Sequence, residues 1–361
     1  MSLSERHPNL PKVVKIGNKL VGEGQPVFFI AEIGNNHNGD YFLAKRSIEE
    51  AVKVGADAVK LQKRFIDEVF TKEMQDQPQL KDQIYGKTYG EYRKNLELNE
   101  EEFIKLKNLS HELGVVFFAT PFDKKSVDFL EKIGVEVYKI ASFDTTNIPL
   151  LEYVAQKGKP VILSVGMATA EETDLAVETI LKYNSQLVIM HCVSVYPTPD
   201  DKLNLGTIGW MRDRYSPLPV GYSGHEKDIL PTLTAVALGV KCVERHFTLD
   251  KKLPGPDHAS VSLQPEEFNA MIEDSRRIEK FGGKKEKMLL EEEQRARNKH
   301  SKSIVARQFI PAGTKIALDM LVCKSPGHGL KPYMIEKIVG LEVKLDIPED
   351  TVISSDHINW L

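Results

Sequence analysis

KCVERHFT (241–248) is the last of a set of short strand-like runs, and PVGYSGH (219–225) and LVIMHCVS (187–194) precede it. Most runs of the set are near-continuously apolar and then end in a polar residue. Such runs are typical of parallel strands that are buried on both faces, because neither face then alternates with polar residues. Five further runs of this kind lie upstream: FFIAEIG (28–34), AVKLQKR (58–64), VFFATPF (116–122), VYKIAS (137–142) and VILSVG (161–166).

Helical patterns separate these runs, for example YFLAKRSIEEAVKVG (41–55) and EEFIKLKNLSHELG (101–114). Each closes on a glycine of the type that caps a helix C-terminus. Eight alternating units predict an α/β fold, the (β/α)8 TIM barrel. An open doubly wound sheet is the main alternative, but the number of units and the polar strand ends favour closure.

The character of the chain changes near residue 281, where FGGKKEKMLLEEEQRARNKHSKS (281–303) is highly charged. The remainder has short β-type runs and turn signals such as IPAGT (310–314). A β-rich module of this size buries little core alone, so it should pack on its own barrel or on a partner subunit. We predict a TIM-barrel domain at 1–283, a linker at 284–300 and a small β-rich domain at 301–361.

The segment between the second and third strands, about 65–100, is unusually long and contains DQIYGKTYGEYRKNLELN (82–99). Long insertions after a barrel strand are often functional or ordered by a ligand. The alternative is a surface excursion that only covers the barrel mouth.

Bulk composition argues against several classes of partner. The chain has 361 residues and a formal net charge of −4, which gives no global attraction to nucleic acid or to an anionic membrane. The N-terminus lacks an apolar signal core, and no apolar stretch approaches the length of a membrane helix. Cys192 and Cys242 lie in apolar runs and indicate buried thiols of a reducing compartment. We therefore expect a cytoplasmic protein.

Polar side chains accumulate at the predicted strand ends, where TIM barrels carry their active sites. Two lysines, Lys60 and Lys139, converge there with hydroxyl groups. Such a pocket suits a phosphate together with a carboxylate, and phosphoenolpyruvate carries both. The alternative is that the lysines form structural ion pairs with Glu32, Asp144 or Glu244. The hydroxyls are those of Thr120, Ser142, Ser164 and Ser223, and the other strand-end side chains include Gln62, His191 and Tyr196.

His225 and His246 end neighbouring predicted strands. Parallel neighbours lie about 4.8 Å apart, so both imidazoles can reach one ion. Two histidines with oxygen ligands suit Mn²⁺, Mg²⁺, Fe²⁺ or Zn²⁺. The alternative is that each histidine is only a hydrogen-bonded structural residue.

Glu32 and Asp144 are candidate carboxylates for proton transfer and for positioning water. Equally, both could serve only to orient the two lysines. Asp257, in PGPDHAS (254–260), could contact substrate or cap a turn.

The ordered motifs of this chain resemble those of the sialic acid (N-acetylneuraminate) synthases, which are TIM barrels followed by an antifreeze-like (SAF) domain. The resemblance extends over nearly the whole chain. The motifs that carry it are AEIGNNHNGD, VKLQK, ATPFD, YKIASFDTTN, ILSVGMAT, HCVSVYPTP, GYSGHE and ERHFTLDKKLPGPDHASVSLQPEEF.

The resemblance implies a role for each group of residues. His225 and His246 would bind a divalent metal, usually Mn²⁺, with Mg²⁺ or Co²⁺ as alternatives, and Glu32 and Asp144 would be the catalytic carboxylates. The family also implies a domain-swapped homodimer in which the small module caps the partner's barrel. Phosphoenolpyruvate would be held by Lys60, Thr120, Lys139, Ser142, Ser164 and Ser223, and the acceptor sugar by Gln62, Tyr196 and Asp257.

Two segments bear on the identity of the sugar. CKSPGHGL (323–330) has Ser325 where some family members carry an arginine that reaches the N-acetyl group, and a hydroxyl cannot replace a bidentate guanidinium. GKTYGEYRKNLEL (86–98) resembles the animal branch, which uses the sugar 6-phosphate. Lys87, Arg93 and Lys94 could meet such a phosphate or could form a solvated basic patch.

The resulting prediction is a metal-dependent enzyme that condenses phosphoenolpyruvate with an N-acetylated amino sugar to give a sialic-acid-type nonulosonic acid and phosphate. The acceptor would be N-acetylmannosamine, its 6-phosphate or a diacetamido hexose. One alternative is a Schiff-base aldolase that uses Lys60 or Lys139 as nucleophile and pyruvate as donor. The other is a non-catalytic carbohydrate- or ice-binding protein.

Overall fold

The computed structural model describes residues 3–255, 257–282 and 286–360. The chain divides into two compact units, Met1–Gly283 and Lys284–Leu361. In the first unit, helix α1 (Leu3–Arg6) precedes an antiparallel hairpin of β1 (Val13–Ile16) and β2 (Lys19–Gly22).

Eight parallel strands form the centre of the first unit: β3 (Phe28–Gly34), β4 (Ala58–Lys63), β5 (Val116–Pro121), β6 (Tyr138–Ile140), β7 (Val161–Ser164), β8 (Leu187–Cys192), β9 (Val220–Gly224) and β10 (Cys242–His246). Their order is β5-β4-β3-β10-β9-β8-β7-β6, and the end strands β5 and β6 lie beside each other, so the barrel is nearly closed. The TIM-barrel prediction is therefore confirmed, and each strand falls within one of the eight predicted runs.

Helices surround the barrel, and their local sequences explain where they begin and end. The side chain of Asp40 accepts hydrogen bonds from the amides of Phe42 and Leu43 at 2.7 and 2.9 Å, which caps the next helix. That helix ends before Gly55, whose φ of +91° favours glycine. The helices of this unit are α2 (Tyr41–Lys53), α3 (Ile66–Val69), α4 (Lys72–Gln75), α5 (Tyr89–Asn95), α6 (Glu100–Glu112), α7 (Lys124–Ile133), α8 (Ile148–Ala155), α9 (Ala170–Leu181), α10 (Gly206–Arg214), α11 (Leu230–Ala237) and α12 (Pro265–Phe281).

The long insertion after β4 is ordered, with helices α3, α4 and α5 in it. A capping box starts α5, because the Thr88 side chain accepts from the Glu91 amide while the Glu91 carboxylate accepts from the Thr88 amide. The insertion therefore contains a helix, α5, whose first residue is fixed by its own sequence.

The second unit has its own small core around Ile304, Ile316, Ile347 and Ile358, all of which are buried. Its strands β11 (Ser303–Ala306) and β12 (Leu321–Lys324) pair antiparallel, and its helices are α13 (Gln294–His300) and α14 (Ile335–Ile338). Within the described ranges of the whole chain, no helix combines the length and the apolar character needed to cross a membrane.

Candidate active site

A cavity of about 360 Å³ opens at the C-terminal ends of the barrel strands. Among the residues to which the family resemblance assigns a catalytic, metal-binding or substrate-binding role, Asp144 is the one outside its lining. The structure brings the others together: Glu32, Lys60, Gln62, Thr120, Lys139, Ser142, Ser164, Tyr196, Ser223, His225, His246 and Asp257 all line the cavity.

The two lysines share one carboxylate. Lys60 Nζ lies 2.9 Å from Glu32 Oε2 and 3.6 Å from Glu244 Oε1, and Lys139 Nζ lies 3.6 Å from the same Glu244 oxygen. Lys60 also donates to Thr120 Oγ1 at 3.0 Å. All of these side chains are buried, so the charges balance one another with little help from water.

This network shifts the pKa values of the two ammonium groups in opposite directions. Burial lowers the pKa of Lys139, and Glu244 only partly opposes that shift. Burial acts on Lys60 in the same direction, but Glu244 and Glu32 outweigh it, so the pKa of Lys60 is raised. Lys60 is therefore a firmly charged group, whereas Lys139 holds its proton less tightly.

The two histidines lie side by side in the cavity wall. Their ring centroids are 5.5 Å apart, His225 directly follows β9, and His246 ends β10. His225 Nδ1 lies 3.0 Å from the Val193 carbonyl oxygen, and a proton donated there leaves Nε2 free as a ligand. His246 Nδ1 is buried and has no hydrogen-bond partner; Asp257 Oδ2 lies 3.8 Å away.

These imidazoles fit a divalent ion with two protein ligands. Among the described residues, no three His, Cys, Asp or Glu side chains group closely enough to hold a metal by themselves. An ion bound by both rings would take its remaining ligands from water or substrate, as catalytic metal sites with open positions do.

Asp144 lies beside the cavity, at the end of a short 3-10 turn, Ser142–Asp144. Its Oδ1 accepts from Asn147 Nδ2 at 2.9 Å, and its buried Oδ2 has no hydrogen-bond partner. Burial raises the pKa of Asp144 to about 6, and the hydrogen bond from Asn147 only partly opposes the shift.

Asp144→Asn is expected to stabilise the chain at neutral pH. A carboxyl whose pKa is raised by folding gives its full contribution to folded-state stability at pH values below its ordinary pKa of 3.8. This contribution is lost as the pH rises through about 6. The free energy of unfolding of the variant, relative to wild type, should therefore rise by up to about 3 kcal/mol between about pH 3.5 and about pH 7. Urea titrations at both pH values measure it. The exposed Asp201→Asn is the control, and equal behaviour of both variants would contradict the burial argument.

Sequence reasoning missed several cavity residues, and strand alternation was the available signal. Lys60, Gln62 and Arg64 are spaced by two, so a strand that turns the first inward turns all three inward. Arg64 lines the cavity and lies over the Phe122 ring at 4.1 Å. On β8 the inward residue is Cys192, whereas His191 bonds through Nε2 to the Leu203 carbonyl at 2.9 Å.

The fold and this cavity together define the class of protein, a TIM-barrel enzyme with its active site at the C-terminal strand ends. The NeuB family matches residues 47–287 and the SAF domain matches residues 301–359, so the chain belongs to the NeuB family and carries a SAF domain.

Named relatives agree with this assignment. The N-acetylneuraminate-9-phosphate synthase of Mus musculus is 37% identical over 94% of this chain and 95% of its own length. The N,N'-diacetyllegionaminic acid synthase of Legionella pneumophila is 37% identical over 95% of this chain and 97% of its own. A crystal structure of N-acetylneuraminic acid synthetase from Leptospira borgpetersenii, in complex with citrate, superposes with a TM-score of 0.72 at 37% identity, covering 80% of this chain and 96% of that one.

Proposed function

We propose that this enzyme condenses phosphoenolpyruvate with an N-acetylated amino sugar to give a nonulosonic acid and phosphate, with a divalent metal, Mn²⁺ before Mg²⁺ or Co²⁺, at His225 and His246. The observation that carries the proposal is that two buried lysines and two adjacent imidazoles line the same cavity. Membership in a family whose named relatives are synthases supports the same reaction class.

The lysine network supplies the anion site. Phosphoenolpyruvate would bind with its phosphate and carboxylate on Lys60, Lys139 and the neighbouring hydroxyls. The lysine–hydroxyl pairs are already formed, since Lys139 donates to Ser164 Oγ at 2.7 Å. Donors held in place in a buried site stabilise the charge that develops on the leaving phosphate without reorganisation.

Glu32 lies between the histidine side and the lysine side of the cavity. It pairs in register with His246 on one side and with Lys60 on the other. A metal at the histidines would act as a Lewis acid on the aldehyde oxygen of the open-chain sugar. C3 of phosphoenolpyruvate would attack that carbonyl carbon, and water would add to C2 as Glu32 accepts its proton. The alkoxide formed from the aldehyde oxygen would take up one proton and become a hydroxyl, so the two proton transfers balance. Collapse of the tetrahedral centre would then expel phosphate and leave the ketone.

A panel of acceptors tests this proposal directly. The enzyme is incubated with phosphoenolpyruvate, Mn²⁺ and either N-acetylmannosamine, its 6-phosphate or a diacetamido hexose, and phosphate release is followed. We expect release with one acceptor and a nonulosonic acid as product by mass spectrometry. Absence of release with all three would contradict the proposed reaction.

Arg93 is the residue that should distinguish a phosphorylated acceptor. It alone of Lys87, Arg93 and Lys94 lines the cavity, and its Nε donates to Tyr89 Oη at 3.0 Å. Arg93→Gln is expected to lower kcat/KM for the 6-phosphate about 10- to 100-fold, as for one charged hydrogen bond. N-acetylmannosamine should be affected much less. Lys94→Gln is the matched control, and equal losses for both sugars would contradict a phosphate contact.

The lowered pKa of Lys139 keeps one alternative open to test, because a Schiff-base aldolase needs such an amine. Borohydride reduction in the presence of pyruvate would trap a covalent adduct on that lysine. We expect none, because in the proposed reaction Lys139 acts as a charge and not as a nucleophile.

The assembly and location follow from the family resemblance. We propose a cytoplasmic, domain-swapped homodimer in which the C-terminal unit caps the partner's barrel. Light scattering should give twice the mass of the chain, and a monomeric mass would contradict the swap.

A further inference from the structure

A buried ion pair lies directly behind the two histidines. Glu226 follows His225 and Arg245 precedes His246, and both side chains are at most 1% exposed. Arg245 Nη1 donates to Glu226 Oε1 at 2.8 Å. Successive residues of a strand point to opposite faces, so Arg245 points away from the side on which His246 lines the cavity.

The guanidinium also holds the backbone that follows His225. Arg245 Nη2 donates to the Glu226 carbonyl at 2.6 Å, and Nη1 donates to the Asp228 carbonyl at 2.9 Å. The segment leaving β9 is thereby tied to β10 through three acceptors on one rigid fork. The two histidine backbones cannot move apart without breaking these bonds.

The carboxylate of Glu226 is held just as firmly. Tyr222 Oη donates to its Oε2 at 2.8 Å, and Thr232 Oγ1 donates to its Oε1 at 2.6 Å. Gly224 leaves the space, because a β-carbon there would lie 2.5 Å from Glu226 Oε2. Elements β9, α11 and β10 thus meet at one salt bridge.

We propose that the Arg245–Glu226 pair is a positioning device that sets the separation of His225 and His246 for the metal. This inference rests on the metal site of the proposed function. Stability alone does not account for the pair, since well-packed apolar residues often replace a buried salt bridge without loss. Neither residue lines the cavity, so neither contacts substrate.

The chain offers a matched control on the outside of the barrel. Arg214 pairs with Asp174, and Tyr215 Oη donates to the same carboxylate at 3.0 Å. This trio repeats the arginine, carboxylate and tyrosine chemistry in a partly exposed place, and none of its three residues lines the cavity.

The test measures Mn²⁺ affinity of the full-length, metal-stripped chain by the electron paramagnetic resonance signal of free Mn²⁺, together with thermal unfolding. The double variant Glu226→Gln, Arg245→Met removes both charges, so it leaves no unpaired buried ion. We expect it to fold and to bind Mn²⁺ at least about tenfold more weakly, the scale of lost outer-shell support. Asp174→Asn, Arg214→Met should bind as wild type does.

A folded double variant with wild-type affinity would overturn the positioning role, as would an equal loss in the control. Should the double variant not fold, Arg245→Lys decides. An ammonium is a single point and cannot reach the acceptors of both guanidinium nitrogens at once, so an intermediate affinity is expected. Wild-type affinity in Arg245→Lys would then overturn the inference. A wild-type chain that binds no Mn²⁺ would instead remove the metal from the proposed function and the inference with it.

Discussion

His246→Ala is expected to abolish both Mn²⁺ binding and phosphate release from phosphoenolpyruvate. The proposed metal site has two protein ligands, so this variant would leave His225 alone, which should not retain the ion in competition with water. Lewis-acid stabilisation is worth several kcal/mol, so kcat should fall on the order of 10³-fold or more. Equilibrium dialysis and the phosphate-release assay measure the two losses separately.

His191→Ala is the matched control for that variant. His191 is also buried on a barrel strand, but its Nε2 bonds to the Leu203 carbonyl rather than facing the cavity. We expect this variant to lose some stability and to keep its metal affinity. Full wild-type activity after exhaustive chelation would contradict the role of the metal and, with it, the prediction for His246.

The barrel could be predicted because the amino-acid composition of its strands reflects their burial on both faces. Every residue of β3 (Phe28–Gly34) is buried, and so is every residue of β8 (Leu187–Cys192), which is why these runs lack polar alternation. Closure follows from eight such units. The hairpin of β1 and β2 was not predicted, since its four-residue strands are too short to show a period.

The cavity was predicted less completely. The end of a strand shows which residues lie near the barrel mouth, but not which of their side chains point into the cavity. On β8 the sequence offered His191, and a shift of one position exchanges inward and outward side chains. The structure turns Cys192 into the cavity. The sequence had already assigned Lys60 and Gln62 to the cavity, so alternation along the same strand would have assigned Arg64 as well.

The individual ion pairs at the barrel mouth could be predicted only as alternatives. The sequence suggested ion pairs for the lysines, with Glu32, Asp144 or Glu244 as partners. The structure selects Glu32 and Glu244 and leaves Asp144 with Asn147. Which carboxylate contacts which lysine depends on the relative register of the barrel strands, and the composition of a strand does not determine that register.

Lys139→Met should cause a large loss of phosphoenolpyruvate use with modest structural cost. Its removal leaves Glu244 paired with Lys60 at 3.6 Å, so no buried carboxylate loses every cation. Loss of one preorganised donor to a developing charge lowers turnover about 10²- to 10³-fold. We expect kcat/KM for phosphoenolpyruvate to fall at least that far, while Mn²⁺ affinity is retained.

Lys63→Met is the control for that loss of activity, because it removes a buried lysine that does not line the cavity. Lys63 is buried outside the cavity lining, 3.2 Å from Glu97 Oε2, and its removal leaves Glu97 with Arg64 at 3.3 Å. Each variant thus deletes one of two cations on a shared carboxylate, so similar shifts in thermal unfolding are expected. Only the cavity lysine should change catalysis. Comparable kinetic losses in both variants would mean that Lys139 acts through the fold and not on the phosphate.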